Sequence, residues 1–186
     1  MKYDLLGKLK SYRASDIQET DNVAKTIEFL SNTGKPFDRE TLEGHIVGSA
    51  FVLNKDKTKV LLTHHKKLNK WLQLGGHSDG NDNTPQVALR EAIEESGIHN
   101  MVFTNDEIAD VDVQIIPENE KKRIPPHVHY DVWYFLQAET EDFTISDESN
   151  TLKWFSMKEL NDLYLDDAAL NRAIKKWKVS VLGEKK

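Results

Sequence analysis

Three glutamates lie at helical spacing in the middle of the sequence. Residues 84–96 place apolar side chains on one stripe, which predicts an amphipathic helix. Because residues three and four apart share a helix face, Glu91, Glu94 and Glu95 project together, and Arg90 can pair with Glu94. Carboxylates so placed repel one another unless they hold a hard cation such as Mg²⁺ or Mn²⁺, or unless water solvates them. The helix alone leaves both a metal site and a solvated acidic face open.

The residues on both sides of these glutamates extend the pattern into a longer motif. Five residues separate Gly76 from Asp82, seven more lead to Arg90, and residues 90–98 read REAIEESGI. The segment 76–98 resembles the Nudix box, GX5EX7REUXEEXGU with U apolar, and every fixed position matches except Asp82, where the box has Glu. The resemblance implies a Nudix hydrolase that uses Mg²⁺ or Mn²⁺ to cleave a pyrophosphate bond in a nucleoside diphosphate linked to another moiety.

The resemblance also implies roles for individual residues. By the motif match, Glu91, Glu94 and Glu95 are the candidate metal ligands, and the backbone carbonyl of Gly75 is a further candidate. Glu94 and Arg90 are also expected to act in catalysis, Arg90 by orienting a carboxylate. In the implied mechanism a metal-activated water attacks one phosphorus of the pyrophosphate, and a carboxylate accepts the proton.

The general base is less clearly marked in the sequence. Glu148 ends a short stretch, residues 146–148, that resembles the acidic loop before the last strand of the family. It is therefore the candidate general base, or an extra metal ligand. Asp147 offers the same chemistry one residue earlier, and an ordinary charged turn is the competing interpretation. The sequence leaves these alternatives open.

Several histidines lie where they could meet a substrate. His127, His129 and Asp131 alternate along a predicted strand, so their side chains share one face. His77 directly follows Gly76, in the loop that the resemblance places across the phosphates. We therefore predict substrate contacts for His77, His129 and Asp131. Hydrogen-bonded imidazoles on a half-buried strand are the competing interpretation.

Composition narrows the classes of function. The chain of 186 residues has 25 Lys and Arg against 31 Asp and Glu, a net charge of −6, so no nucleic-acid partner is expected. A small phosphorylated ligand stays possible because a bound metal supplies local positive charge. The absence of cysteine excludes thiolate nucleophiles and cysteine-held metals. The apolar stretches of the chain are too short to span a membrane, and we expect a cytoplasmic protein.

The elements around the motif predict an α+β fold, and the resemblance makes it a Nudix-type α/β/α sandwich with a mixed β-sheet. Apolar runs at 45–54 and 59–65 predict a hairpin. Further strands are predicted at 71–74, 111–116, 128–138 and 152–155, and a last helix at 166–179. Residues 1–40 are predicted to form an N-terminal helical extension that packs on the core or on a partner chain, and residues 41–186 the Nudix hydrolase domain with its C-terminal helix.

Two classes of function fit this sequence. The first is a metal-dependent pyrophosphohydrolase, and the second is a Nudix-fold module that binds or senses a nucleotide without turnover. A degenerate motif would favour the second class, whereas here all three helix glutamates and Arg90 are present, which favours the enzyme. The implied partner is a small nucleoside diphosphate derivative, and the resemblance also suggests a homodimer.

Overall fold

A computed structural model describes residues 3–105, 107–120, 123–146, 149–163 and 165–182. Within these ranges the helices are α1 (Leu5–Ser11), α2 (Ile17–Asn32), α3 (Thr84–Ser96), α4 (Met157–Asp162) and α5 (Ala168–Leu182). The strands are β1 (Gly44–Leu53), β2 (Lys59–His65), β3 (Lys70–Leu72), β4 (Leu74–His77), β5 (Met101–Phe103), β6 (Asp110–Ile116), β7 (His127–Ala138) and β8 (Ser149–Ser156). No helix among the described residues is both long and apolar enough to cross a bilayer.

Strands β1 and β7 form the centre of a mixed sheet. They pair in parallel from Gly44 opposite Val128 to Leu53 opposite Gln137. Strands β2 and β4 pair antiparallel with β1, β5 and β6 pair antiparallel with β7, and β3 and β8 pair antiparallel with β2. The predicted α+β fold with a mixed sheet and an N-terminal helical extension is confirmed.

Helices cover both faces of the central strands. All ten residues of β1 are buried, which explains its nearly continuous apolar run. Ile46 and Ala50 point to the cluster that contains Ala88 of α3, whereas Phe51 points to the cluster that contains Trp177 of α5. This alternation is that of a strand buried between two layers of helices.

Helix α3 spans 84–96, as predicted, but its N-cap is not Thr84, which the sequence favours because threonine is a common N-cap residue. Asn83, rather than Thr84, is the N-cap, and its side chain accepts a hydrogen bond from the backbone N–H of Gln86. Thr84 is buried instead, and its hydroxyl lies 2.7 Å from that of Tyr134. Gly97 ends the helix in the left-handed conformation, with φ 70°, as a glycine directly after the last helical residue predicts.

The strands before α3 also differ from the prediction. The strand expected at 71–74 is interrupted at Gln73, and Gly75 and Gly76, which follow the predicted strand, belong to β4, which continues to His77. Strand β5, of three residues, was not predicted, because so short a run carries no readable alternation. Strand β4 therefore brings Gly75, Gly76 and His77 beside β1.

The N-terminal helices pack on the same chain. Leu5 and Leu9 of α1 are buried, and the ring of Phe29 in α2 stacks on that of Tyr130 at 4.1 Å between centroids. Helices α2 and α5 also meet at β6 through ion pairs of Lys176 with Glu19 and Asp110. The division of the chain between residues 40 and 41 stays a prediction.

Candidate active site and an adjoining histidine cluster

The carboxylates of α3 reach the backbone of β4. The N–H of Gly75 donates to Oε1 of Glu95 at 3.2 Å. A Cβ placed on Gly76 would lie 2.4 Å from Oε2 of Glu91, so only glycine lets this carboxylate come so close to the strand. The paired glycines and the helix glutamates thus form one structural unit, which joins the two ends of the motif.

Arg90 contacts both the backbone of β4 and the carboxylates of α3. Its Nη2 donates to the backbone carbonyl of His77 at 2.7 Å and lies 2.9 Å from Oε1 of Glu91. Its Nη1 is 3.6 Å from Oε2 of Glu94, which realises the pairing expected from the sequence. The Glu91 side chain is 15% exposed and that of Glu94 57%. The arginine therefore holds Glu91 against β4, while Glu94 faces solvent.

The three glutamates stand on one face of α3 but are not drawn into a tight cluster. Among the described residues, the ligand groups of three acids or histidines come within 4.8 Å of one another only at His45, His77 and His129. Metal binding by Glu91, Glu94 and Glu95 stays a prediction, as does the role of the Gly75 carbonyl. Glu148 lies outside the described residues.

The histidines gather on the face of the sheet opposite α3. His45 on β1 is the register partner of His129 on β7, and His77 on β4 pairs with Val47, two residues along β1. Because alternate residues share a face, the three imidazoles meet, with centroids of His45 lying 5.0 Å from His77 and 4.7 Å from His129. His127 stands beside them, with its centroid 5.1 Å from that of His129.

Burial lowers the pKa of two of these imidazoles, His45 and His129. His45 is 2% exposed, and burial, with the neighbouring His77 and His127, lowers its pKa to about 4. Burial and the same cluster lower the pKa of His129 to about 3. In the part of the chain that the structure describes, neither ring nitrogen of His45 has a hydrogen-bond partner. At neutral pH His45 and His129 are therefore uncharged.

Asp131 lies on the same face of β7 but inside the protein. It is 5% exposed, and its Oδ2 accepts hydrogen bonds from Oγ of Ser49 at 2.9 Å and Nε2 of Gln73 at 3.3 Å. Burial raises its pKa to about 7 even though the Ser49 hydroxyl opposes the shift. The structure thus brings two of the predicted substrate contacts, His77 and His129, together. It buries the third, Asp131, inside the protein.

His45 is the member of this cluster that the sequence did not single out. It is the second residue of β1, a largely apolar strand, where one imidazole is more often a buried core residue than a ligand. Only the parallel pairing of β1 with β7 sets it opposite His129, and parallel partners far apart in sequence are not readable from local pattern. The one sequence feature that could have indicated a role for His45 was the presence of a histidine within a strand expected to be fully buried.

Comparisons with known proteins agree with this geometry. A family model described as "NUDIX domain" matches residues 44–178. The chain is 25% identical over 147 residues (79% of this chain, 86% of the relative) to a probable DHNTP pyrophosphohydrolase of Lactococcus lactis subsp. cremoris (strain MG1363). It is similar to a crystal structure of a NUDIX-family hydrolase from Clostridium perfringens, with TM-score 0.57, 25% identity and 73% and 97% of the two chains covered. The structure of E. coli dihydroneopterin triphosphate pyrophosphohydrolase shares the fold, with TM-score 0.55, 15% identity and 75% and 96% covered.

Proposed function

Because the chain belongs to the Nudix family, we propose that it is a metal-dependent hydrolase of a pyrophosphate bond in a nucleoside diphosphate linked to another moiety. The proposal rests on the contacts that the motif residues make with one another in the folded chain. Glu91 and Glu95 on α3 meet the backbone of Gly75 and Gly76, and Arg90 braces the contact. A nucleotide-binding module without turnover would have no need of this full set of acids.

The residues present fit Mg²⁺ or Mn²⁺. The donor set consists of carboxylates, and hard divalent cations prefer oxygen ligands. The missing side chain at Gly76 leaves room for the Glu91 carboxylate beside the strand, a space that any Cβ would fill. Glu91, Glu94 and Glu95 would hold the ion. When bound, it would neutralise pyrophosphate charge and make water a stronger nucleophile.

The chain's own residues would orient the reaction. Arg90 fixes the position of Glu91 through its contacts with that carboxylate and with the carbonyl of His77. Glu95 is fixed by the N–H of Gly75. Half-buried His77 and His129 are the proposed substrate contacts, and buried Asp131 is the third. Preorganised groups of this kind lower the barrier because they need not rearrange as charge develops.

The substrate class can be tested directly. We expect phosphate or pyrophosphate release from at least one member of a panel of nucleoside diphosphate derivatives with Mg²⁺ or Mn²⁺. Dihydroneopterin triphosphate belongs in the panel because the Lactococcus lactis relative carries that name. Activity should vanish with chelator and return with the divalent ion. Tight nucleotide binding with no product over the whole panel would favour the binding module instead.

Glu148 is our proposed general base, and its test separates two roles. If it accepts the proton, Glu148→Gln should lower turnover by about 100-fold or more and leave the Mg²⁺ concentration for half-maximal activity unchanged. A rise in that concentration would make Glu148 a metal ligand. Unchanged kinetics would remove it from the site, and Asp147 would be substituted next.

The remaining expectations concern location and assembly. A cytoplasmic location follows from the lack of cysteine and of apolar spans, and cell fractionation tests it. A homodimer follows from the family resemblance alone. Sedimentation of a clean monomer at micromolar concentration would contradict it.

A further inference from the structure

We propose that His45, His77 and His129 form a second cation site, for a divalent transition-metal ion that prefers imidazole, such as Zn²⁺ or Co²⁺. Each of the three residues offers one ligand atom, and these atoms all lie within 4.8 Å of one another. Nitrogen atoms bound to one ion at about 2.0–2.1 Å lie at most about 4.2 Å apart, so small rotations of the three rings would bring them onto a common ion. The three come from separate strands, β1, β4 and β7, so the sheet itself sets their spacing.

The state of His45 is the second observation. Buried polar atoms nearly always have a hydrogen-bond partner, yet both ring nitrogens of His45 lack one among the described residues. The ring is 2% exposed and lies against the rings of His77 and His129. A cation bound to one nitrogen would satisfy a group that the described residues leave without a hydrogen bond.

The surroundings of His129 have the arrangement that metal-binding histidines require. The carbonyl of Pro125 can only accept, so Nδ1 of His127, 2.9 Å away, carries the proton. Nε2 of His127 lies 3.2 Å from Nε2 of His129, and in the tautomer in which His127 accepts, His129 donates through its Nε2–H. This chain of hydrogen bonds leaves Nδ1 of His129 as the lone-pair nitrogen. Partners that fix the tautomer in this way commonly support metal-bound histidines.

The ligand chemistry separates this site from the carboxylates of α3. Imidazole suits Zn²⁺, Co²⁺, Ni²⁺ or Cu²⁺, whereas Mg²⁺ prefers oxygen. Three protein ligands are also the number found in catalytic zinc sites, which keep one position for water or substrate. His77 joins the two sites, because its carbonyl accepts from Arg90 while its side chain reaches the opposite face of β4. The histidine site thus lies beside the proposed catalytic unit and shares His77 with it.

Direct Co²⁺ titration of untagged, metal-free protein tests the site without substrate. We expect one equivalent of Co²⁺ to give strong visible absorption, as low-coordinate imidazole sites do, and Zn²⁺ to abolish it. Six-coordinate Co²⁺ on carboxylates absorbs weakly. Half-buried His77 and His129 are the residues to change, and His77→Gln or His129→Gln should weaken binding by more than about 100-fold. His127→Gln, which loses a positioning contact, should weaken it by about 10–100-fold.

The controls separate this site from other histidines and from the catalytic unit. His99→Gln changes an exposed histidine after α3 and should bind Co²⁺ as the wild type does. Glu95→Gln should also keep the strong absorption, so the result stands whether or not the proposed hydrolase activity is found. Far-UV circular dichroism establishes that each variant is folded. Equal Co²⁺ affinity in folded His77→Gln, or absorption lost in Glu95→Gln, would overturn the proposal.

Discussion

Glu95→Gln is expected to lower turnover by more than about 100-fold. Loss of a residue that only hydrogen-bonds to a metal ligand typically costs about 10–100-fold in activity, and loss of a proposed ligand itself should cost more. The substitution keeps the size of the side chain and an oxygen that can accept from the N–H of Gly75, which is 3.2 Å from Oε1 in the wild type. What it removes is one negative charge from the carboxylates of α3. The defect should therefore be electrostatic, with more Mg²⁺ needed for half-maximal activity and little change in stability.

A matched substitution elsewhere isolates this effect. Glu139→Gln makes the same change in an exposed ion pair with Lys55, and surface pairs contribute little. It should retain wild-type turnover and Mg²⁺ dependence. Steady-state kinetics at several Mg²⁺ concentrations, with thermal melting of each variant, provide the comparison. If Glu95→Gln kept wild-type turnover and Mg²⁺ dependence, Glu95 would not be a metal ligand.

The motif was readable from sequence because it is local. Helical spacing puts Glu91 and Glu95 on one face, and Gly97 marks the end of the helix, so both features follow from about four turns of chain. The pairing of Arg90 with Glu94 followed in the same way and is present at 3.6 Å. The contact of Arg90 with the carbonyl of His77 did not, since it depends on how α3 packs against β4.

Only part of the histidine cluster could be predicted from the sequence, because the cluster also depends on strands that are far apart in the chain. The alternation of His127 and His129 is local and correctly placed both on one strand face. Adding His45 requires the register of β1 against β7, strands more than eighty residues apart in sequence. Such a register is fixed by burial of both strands between two helical layers rather than by any nearby residue. Sequence patterns therefore locate catalytic helices more readily than sites assembled across a sheet.

A buried ion-pair network joins the N-terminal helices to the C-terminal one. Nζ of Lys176 on α5 lies 2.5 Å from Oε1 of Glu19 on α2 and 2.6 Å from Oδ2 of Asp110 on β6, and the side chains of both acids are 0% exposed. Burial raises the pKa of Glu19, but hydrogen bonds from Lys176, Ser15 and Tyr12 outweigh it and lower the pKa to about 2. Burial raises the pKa of Asp110 to about 6 despite Arg172 and Lys176.

Lys176→Met is expected to destabilise the protein by about 3 kcal/mol, the lower end of the cost of breaking a buried pair, because the lysine side chain is partly exposed. The substitution preserves most of the apolar stem and leaves Glu19 and Asp110 without this cation. Lys175→Met, the same change at the preceding, exposed position of α5, should cost little. Urea unfolding of both variants measures the difference, and equal stabilities would show that Lys176 does not hold the helices together.

The cost of Lys176→Met should also depend on pH. In the wild type, the lowered pKa of Glu19 contributes stability above pH 4.5, its ordinary value, and this contribution is lost as pH falls toward 2. In the variant, burial without Lys176 should raise the pKa of Glu19 above that ordinary value, so stability is present at low pH and lost as pH rises through the new value. Both changes act in one direction. Asp110, whose pKa is about 6 in the wild type, loses the same cation, so its pKa should rise as well. The deficit of Lys176→Met relative to the wild type should therefore be larger at pH 8 than at pH 5, and a deficit independent of pH would mean that neither acid changes its pKa when the lysine is lost.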